Sequence, residues 1–334
     1  MPICVLLEEA ATKLKNVYQW GPPEKTIVFP DSAGNFVSTG VVATDEFVSV
    51  LDGDPVVKCF DNMTINAGHI VRPTNRCKGM FIRVLGNLIV NGQLTMTARG
   101  AKGPGKFVGI AHQDEIIYFN PTDIYPKNPR FTVIDRLGGA RRTSPNSPGS
   151  PGVNGACGGG GCGSVETAYG ASRGLGGEGT SFSGGPGGGG SPRAAAGDGA
   201  IEGGAGGAGV GWYSGTRWWS AGGGAGNPGG AGNGTGGTAG GNGTGGLIIL
   251  FVHGNIIFGA NGKIISGGTQ GGAGYDSGGG SGGGAIHIFH KGSLGEPAKI
   301  SCPGGAPGTP VATGGYNGTP GFAGGAGSVN IVQI

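Results

Sequence analysis

Over most of this chain the apolar residues come in short runs bounded by turn residues, the pattern of β-strands. Between Lys25 and Leu51 the runs are Thr26 to Phe29, Phe36 to Ser38, Val41 to Ala43 and Phe47 to Val50. Asp31-Ser32-Ala33-Gly34-Asn35 is the clearest break between them. Residues 56–98 continue in the same style, with alternation such as Met63-Thr64-Ile65. Ahead of these runs, Glu8 to Trp20 suits one short helix, stopped by Pro22-Pro23. The longest apolar run, Leu247 to Val252, is strand-sized. It falls well short of the roughly 18 residues a membrane span requires, so no membrane insertion is expected.

The runs also recur. Residues 79–100 and 246–268 follow one plan. A strand leads to a Gly-Asn corner (Gly86-Asn87, Gly254-Asn255), a second strand, an Asn-Gly turn (Asn91-Gly92, Asn261-Gly262) and a third short strand running into glycine. A looser copy starts at Gly284, and Gly327 to Ile334 is the first strand of a fourth. Asn-Gly predicts two-residue type I′ turns. Units of this kind suit a β-sandwich or a solenoid whose stacked repeats share one core.

Glycine fills the space between copies. Of 83 glycines, 71 fall in residues 138–334. Each loses about 0.5–1 kcal/mol more on ordering than alanine, so the tracts are either flexible or use glycine where no side chain fits. Flexible linkers are the simpler reading. Against it, the tracts alternate with apolar strands at spacings of 38 (Gly246 to Gly284) and 43 (Gly284 to Gly327) residues. Collagen is excluded, because the period-three register of Gly203 to Gly209 is lost by Gly222-Gly223-Gly224. Polyproline-II-type glycine helices packed side by side remain, with backbone groups bonded to neighbouring segments. The expected fold is therefore all-β: repeated strand units, solenoid or sandwich, interspersed with bundled polyglycine helices.

Charge narrows the function. Charged residues are 12% of the chain and the net charge is +3, with no basic stripe to bind nucleic acid. The start, Met-Pro-Ile-Cys-Val-Leu-Leu-Glu-Glu, lacks the basic and long apolar regions of a secretory signal. Six cysteines are too few for a disulfide scaffold in a chain of this length. Cys157 and Cys162 bracket four glycines. They could be two free thiols or a small disulfide more readily than half of a zinc site, since zinc needs about four ligands. Cys59 and Cys77 lie in β sequence and read as buried thiols. No metal or cofactor is expected.

The candidate contact site is Trp212, Tyr213, Arg217, Trp218 and Trp219, between two glycine tracts. Flat amphipathic rings beside an arginine dominate binding hot spots and can cover the apolar face of a sugar. The competing reading makes the rings staples between glycine helices. Tyr169, Phe182, Tyr275, Tyr316 and Phe322 each read as packing, and residues 101–137, with a strand at Ile116 to Phe119, as an elaborated loop of the first repeat. Nucleophile-elbow and dinucleotide patterns match only because glycine is everywhere, with no strand-to-helix unit behind them. His287 and His290 would face opposite sides of a strand. The chain is not expected to be an enzyme.

The apolar strand followed by Gly-Asn-Leu-Ile-Val-Asn-Gly and a glycine-rich excursion resembles glycine-rich tail-fibre and tail-tip proteins of bacteriophages and phage-like particles. The likeness is clearest at Asn87 to Gly100 and Asn255 to Gly268, and extends loosely over residues 56–334. It implies a virion protein that binds a bacterial surface glycan or protein, and is released on host lysis. Residues 1–55 would attach it to other tail proteins, 56–137 would form the first β repeat, and 138–334 the glycine-rich bundle with further repeats. A homo-oligomer is expected. A self-assembling filament subunit, a tailspike-type polysaccharide hydrolase and, more remotely, an ice-binding protein are the rivals.

Overall fold

The computed structural model describes residues 17–19, 26–102, 115–119, 131–135, 147–152, 157–164, 174–180, 182–191, 205–213, 218–312 and 317–334. It is strand-rich, with parallel sheets. β1 (Val17–Gln19) pairs antiparallel with β2 (Thr26–Val28). The helix expected over Glu8 to Trp20 is thus replaced by strand at its described residues, and the remainder lies outside them. Val17 and Tyr18 are strand-favouring residues, and they pair with Val28 and Ile27.

β3 (Phe36–Val37) and β4 (Glu46–Phe47) flank one helical turn, α1 (Val42–Asp45). The expected strand at Val41 to Ala43 gives way to this turn. Asp45 closes it by accepting N–H groups from Thr39 (2.9 Å) and Gly40 (2.8 Å) on its two carboxylate oxygens. Two full windings follow: β5 (Val56–Phe60), β6 (Met63–Ile65) and β7 (Ile70–Pro73), then β8 (Met80–Val84), β9 (Leu88–Val90) and β10 (Gln93–Thr95). The described residues between β10 and residue 246 include two antiparallel strand pairs, β11 (Glu115–Phe119) with β12 (Phe131–Asp135) and β13 (Trp212–Tyr213) with β14 (Trp218–Trp219). The windings continue with β15 (Leu247–Val252), β16 (Ile256–Phe258) and β17 (Lys263–Ile265), then β18 (Ala285–His290), β19 (Ile300–Ser301) and β20 (Ser328–Gln333).

Three windings, β5 to β7, β8 to β10 and β15 to β17, give one strand to each of three sheets. The orders are β20-β18-β15-β8-β5, β16-β9-β6-β3 and β19-β17-β10-β7-β4. Every neighbouring pair in these sheets is parallel. Val56 pairs with Met80, Met63 with Leu88, and Ile70 with Gln93, so one winding takes 23 to 25 residues. The two sequence copies stack directly, Met80 against Ile248. The apolar runs at 38- and 43-residue spacing pair in the same register, Leu247 with Ala285 and Ala285 with Ser328.

The Asn-Gly pairs do not make hairpins. β9 and β10 flank Asn91-Gly92 but belong to different sheets, and none of Asn91, Gly92, Asn261 or Gly262 has the positive φ of a type I′ turn. They turn the corner between sheets instead. The Gly-Asn corner is a stacking device. Asn62 Nδ2 donates to Asn35 Oδ1 (3.0 Å). Asn87 N–H donates to Asn62 Oδ1 (2.9 Å), Asn255 N–H to Asn87 Oδ1 (2.8 Å), and Ser293 N–H to Asn255 Oδ1 (2.8 Å). Asn62, Asn87 and Asn255 thereby each satisfy a backbone donor that the corner would leave unpaired.

Inside the windings, alternate strand residues build one core, including Met80, Ile82, Val84, Ile248, Leu250, Ile286 and Ile288. The opposite face of the β15-containing sheet is covered too. Phe81, Ile249, Phe251 and Phe289 pack there with Phe29, Cys157 and Phe182. Phe251 and Phe289 stack at 4.9 Å, and Phe29 meets Phe251 edge-on. Burial on both faces explains why β15 reads as six consecutive apolar residues without alternation. His287 and His290 do face opposite sides, and both are buried. Charges stack between windings: Glu46 with Arg72, Asp52 with Arg76, and Asp54 with Lys78.

The glycine segments lie beside this stack, joined by backbone hydrogen bonds that advance three residues at a time. Gly158, Gly161 and Ser164 donate to Gly283, Gly280 and Ser277. Gly159 and Cys162 donate to Ser150 and Ser147, while Gly160 and Gly163 donate to Gly177 and Gly174. One segment therefore bonds in three directions in turn, and consecutive N–H groups each find a carbonyl. A Cβ on Gly160, Gly224 or Gly282 would collide with the carbonyl oxygen of Pro186, Gly187 or Gly158 respectively. Here glycine is required by the close approach of backbones rather than by a special φ.

Candidate functional site

Several glycine segments feed straight into sheet strands. Residues 238–246 lead into β15, 277–284 into β18 and 321–327 into β20. Their other ends carry loops, and these meet. Ala221 bridges both Asn233 and Asp276, Gly274 bridges Pro310, and Asp276 bridges Thr319. The tryptophan-rich hairpin belongs to this cluster. β13 and β14 set Trp212 opposite Trp219 and Tyr213 opposite Trp218. Residues 214–217, including the candidate Arg217, lie outside the described residues.

Trp219 is half-buried, and its ring meets Tyr275 edge-on, with centroids 4.5 Å apart and planes at 71°. That ring is therefore a packing element at the base of the hairpin, as the stapling reading expects. Trp212, Tyr213 and Trp218 are set by their backbone pairing.

Small polar side chains anchor the base, and the sequence alone did not single them out. Ser220 Oγ accepts the Tyr275 N–H (3.0 Å). Ser164 Oγ donates to Asp276 Oδ1 (3.0 Å) in a buried setting. Ser277 Oγ donates to the Gly308 carbonyl (2.8 Å) and accepts the Gly321 N–H (2.7 Å). These contacts tie five separated stretches together at one end of the glycine layer. The available sequence signal was the break that Ser220, Asp276-Ser277 and Ser164 make in otherwise glycine tracts. Of the other aromatics taken as packing, Phe182 is fully buried and Phe322 is partly covered. Tyr169 and Tyr316 lie outside the described residues.

Titratable groups away from the loops behave as packed side chains. Cys59, Cys77, Cys157, Cys162 and Cys302 are all buried. Burial pushes the thiols of Cys59, Cys77, Cys157 and Cys302 up, and Cys302 adds to the effect at Cys157. His253 is driven down to about 4, by burial first and then by Arg83 and Lys291. Among the described residues no group of three His, Cys, Asp or Glu side chains is placed to hold a metal. No helix among them is long and apolar enough to cross a membrane.

Comparison with known proteins adds no relative: no family model, curated protein or solved structure matches the chain.

Proposed function

We propose that the stacked windings form a parallel β-solenoid carrying a bundle of polyglycine-II helices, and that this body presents loops to a bacterial surface as part of a phage or phage-like tail. The three-residue step of the backbone hydrogen bonds supports the helix assignment, because a polyproline-II helix has three residues per turn. The single observation that carries the function is the gathering of the tryptophan hairpin with residues 232–238, 273–276, 309–312 and 317–319 at the end of the glycine segments away from the sheet strands. At about 3.1 Å per residue, such segments hold the loops roughly 25 Å from the strands they feed. Loops held on a hydrogen-bonded base suit recognition, since such a scaffold tolerates change in its loops.

In this reading Trp212, Tyr213, Arg217 and Trp218 contact a surface glycan or protein, and Trp219 seats the hairpin on Tyr275. Residues 1–55 attach the chain to the rest of the tail, and the role is binding rather than catalysis. The test replaces residues 213–218 by a two-residue Asn-Gly turn and follows adsorption of the protein to bacterial cells. Lost adsorption with unchanged thermal unfolding is expected. Full adsorption by a folded variant would remove the hairpin from the contact site.

One observation favours a second reading, the filament subunit. β3 and β4 are edge strands, and Val37, Val48, Val50 and Leu51 beside them are 56–83% exposed. Such edges template further pairing. Concentration-dependent filaments that ignore cells would select this alternative.

A further inference from the structure

Where the first two windings meet, a cavity of about 290 Å³ opens beside β4 and β7. Its side chains come from positions about one winding apart: Val42, Asp45 and Glu46 from the first, His69, Ile70 and Arg72 from the second. The floor is rigid. Asp45 is buried, with both oxygens held by the N–H groups of Thr39 and Gly40. Ser38 Oγ accepts the Asn66 N–H (2.8 Å) and lies 2.8 Å from His69 Nδ1. The imidazole is thereby fixed through Nδ1. Its Nε2 edge faces Gly40, where a Cβ would come within 2.8 Å of it. The His69 side chain is 24% exposed.

The ion pair at the wall is held through one oxygen. Arg72 Nε and Nη2 both reach Glu46 Oε1, each at 2.7 Å. Glu46 Oε2 and Arg72 Nη1 make no hydrogen bond to the described residues. Val42 and Ile70 offer apolar surface opposite, 63% and 45% exposed.

We propose that this cavity binds one neutral polyhydroxylated ring, a hexose-type sugar unit. The carboxylate oxygen accepts from one hydroxyl of a vicinal pair, while the guanidinium N–H donates to the oxygen of its neighbour. The aliphatic side chains cover a face of C–H bonds, and the imidazole edge supplies a third polar contact. This is the composition of a small-ligand site: apolar walls with a few convergent polar groups. Charge selects the class. Asp45, Glu46 and Arg72 leave one formal negative charge, which disfavours anionic ligands, while Arg72 at the rim disfavours cationic ones. The site shares no residue with the tryptophan hairpin and does not rest on it.

The test titrates full-length protein, labelled with ¹⁵N in its histidines, with the methyl glycosides of glucose, galactose, mannose and N-acetylglucosamine. The free reducing sugars run alongside, to separate a glycan unit from a metabolite. The His69 ring signals, assigned by His69→Gln, are expected to move with at least one ring, at an affinity of about 1–10 mM. Arg72→Lys should weaken binding about tenfold, because it loses the planar fork. Val42→Trp, which fills the cavity from an exposed position without touching the ion pair, should abolish it. Circular dichroism checks that each variant is folded. A His69 signal that none of these sugars moves overturns the proposal, as does an unchanged titration in folded Val42→Trp.

Discussion

The glycine layer makes a prediction of opposite sign at two positions. In Gly282→Ala the new methyl group would be driven into the Gly158 carbonyl oxygen. That carbonyl cannot yield alone. It accepts the Gly185 N–H (2.8 Å), while Gly158 N–H donates to the Gly283 carbonyl (2.8 Å) and Gly282 N–H to the Gly185 carbonyl (2.8 Å). Moving one segment by about an ångström costs some 1–3 kcal/mol of overpacking. Weakening two of these bonds adds about 1–3 kcal/mol. The expected loss is therefore about 2–6 kcal/mol. At Gly295 the nearest atom to a Cβ is the Ile256 carbonyl oxygen at 3.6 Å, an ordinary contact, and φ is not positive. Gly295→Ala should be neutral, or stabilising by up to about 1 kcal/mol through the unfolded chain. Guanidinium unfolding of both variants beside the parent, read from the shift in midpoint at constant slope, makes the comparison. If Gly282→Ala stays within about 0.5 kcal/mol of the parent, glycine is not there for backbone contact, and the packed layer is wrong.

In the corner stack, Asn87→Ala removes the acceptor of the Asn255 N–H and should cost about 1 kcal/mol; Asn87→Asp retains an acceptor and should recover most of it in the same unfolding assay. For His253, the folded value of about 4 lies below the ordinary 6.5, so the unfolded chain binds the proton first. Stability should then fall as pH drops from about 6.5 towards 4. His253→Gln should flatten that part of a stability–pH curve, and an unchanged slope would remove the assignment. The five described cysteines are buried, so a water-soluble disulfide reagent should label them only after denaturant is added, as counted by absorbance. In the aromatic layer, Phe289→Ala should destabilise by about 3–5 kcal/mol, since its ring is fully buried against Phe251; a loss below 1 kcal/mol in unfolding would mean the outer face is not packed.

The sequence by itself determined the strands and their recurrence. The runs at Met80, Leu247 and Ala285 are apolar because they are buried, and the spacing from Leu247 through Ala285 to Ser328 set the partners that later align. The tryptophan segment stood out because aromatic residues are conspicuous against glycine, but its pairing as a hairpin came from the structure. Other features depended on tertiary structure. Asn91-Gly92 has the composition of a hairpin turn, yet its flanking strands find partners a whole winding away, so local chemistry could not choose between sheet corner and hairpin. Asp45 with His69, and Glu46 with Arg72, are about one winding apart, and only the stacking brings them together. The order of the glycine segments was illegible for a deeper reason. Their contacts run from backbone to backbone, and the backbone is the same at every glycine. Side-chain pattern therefore carries no record of which segment lies beside which; that choice is made by where the strands β15, β18 and β20 fix the ends.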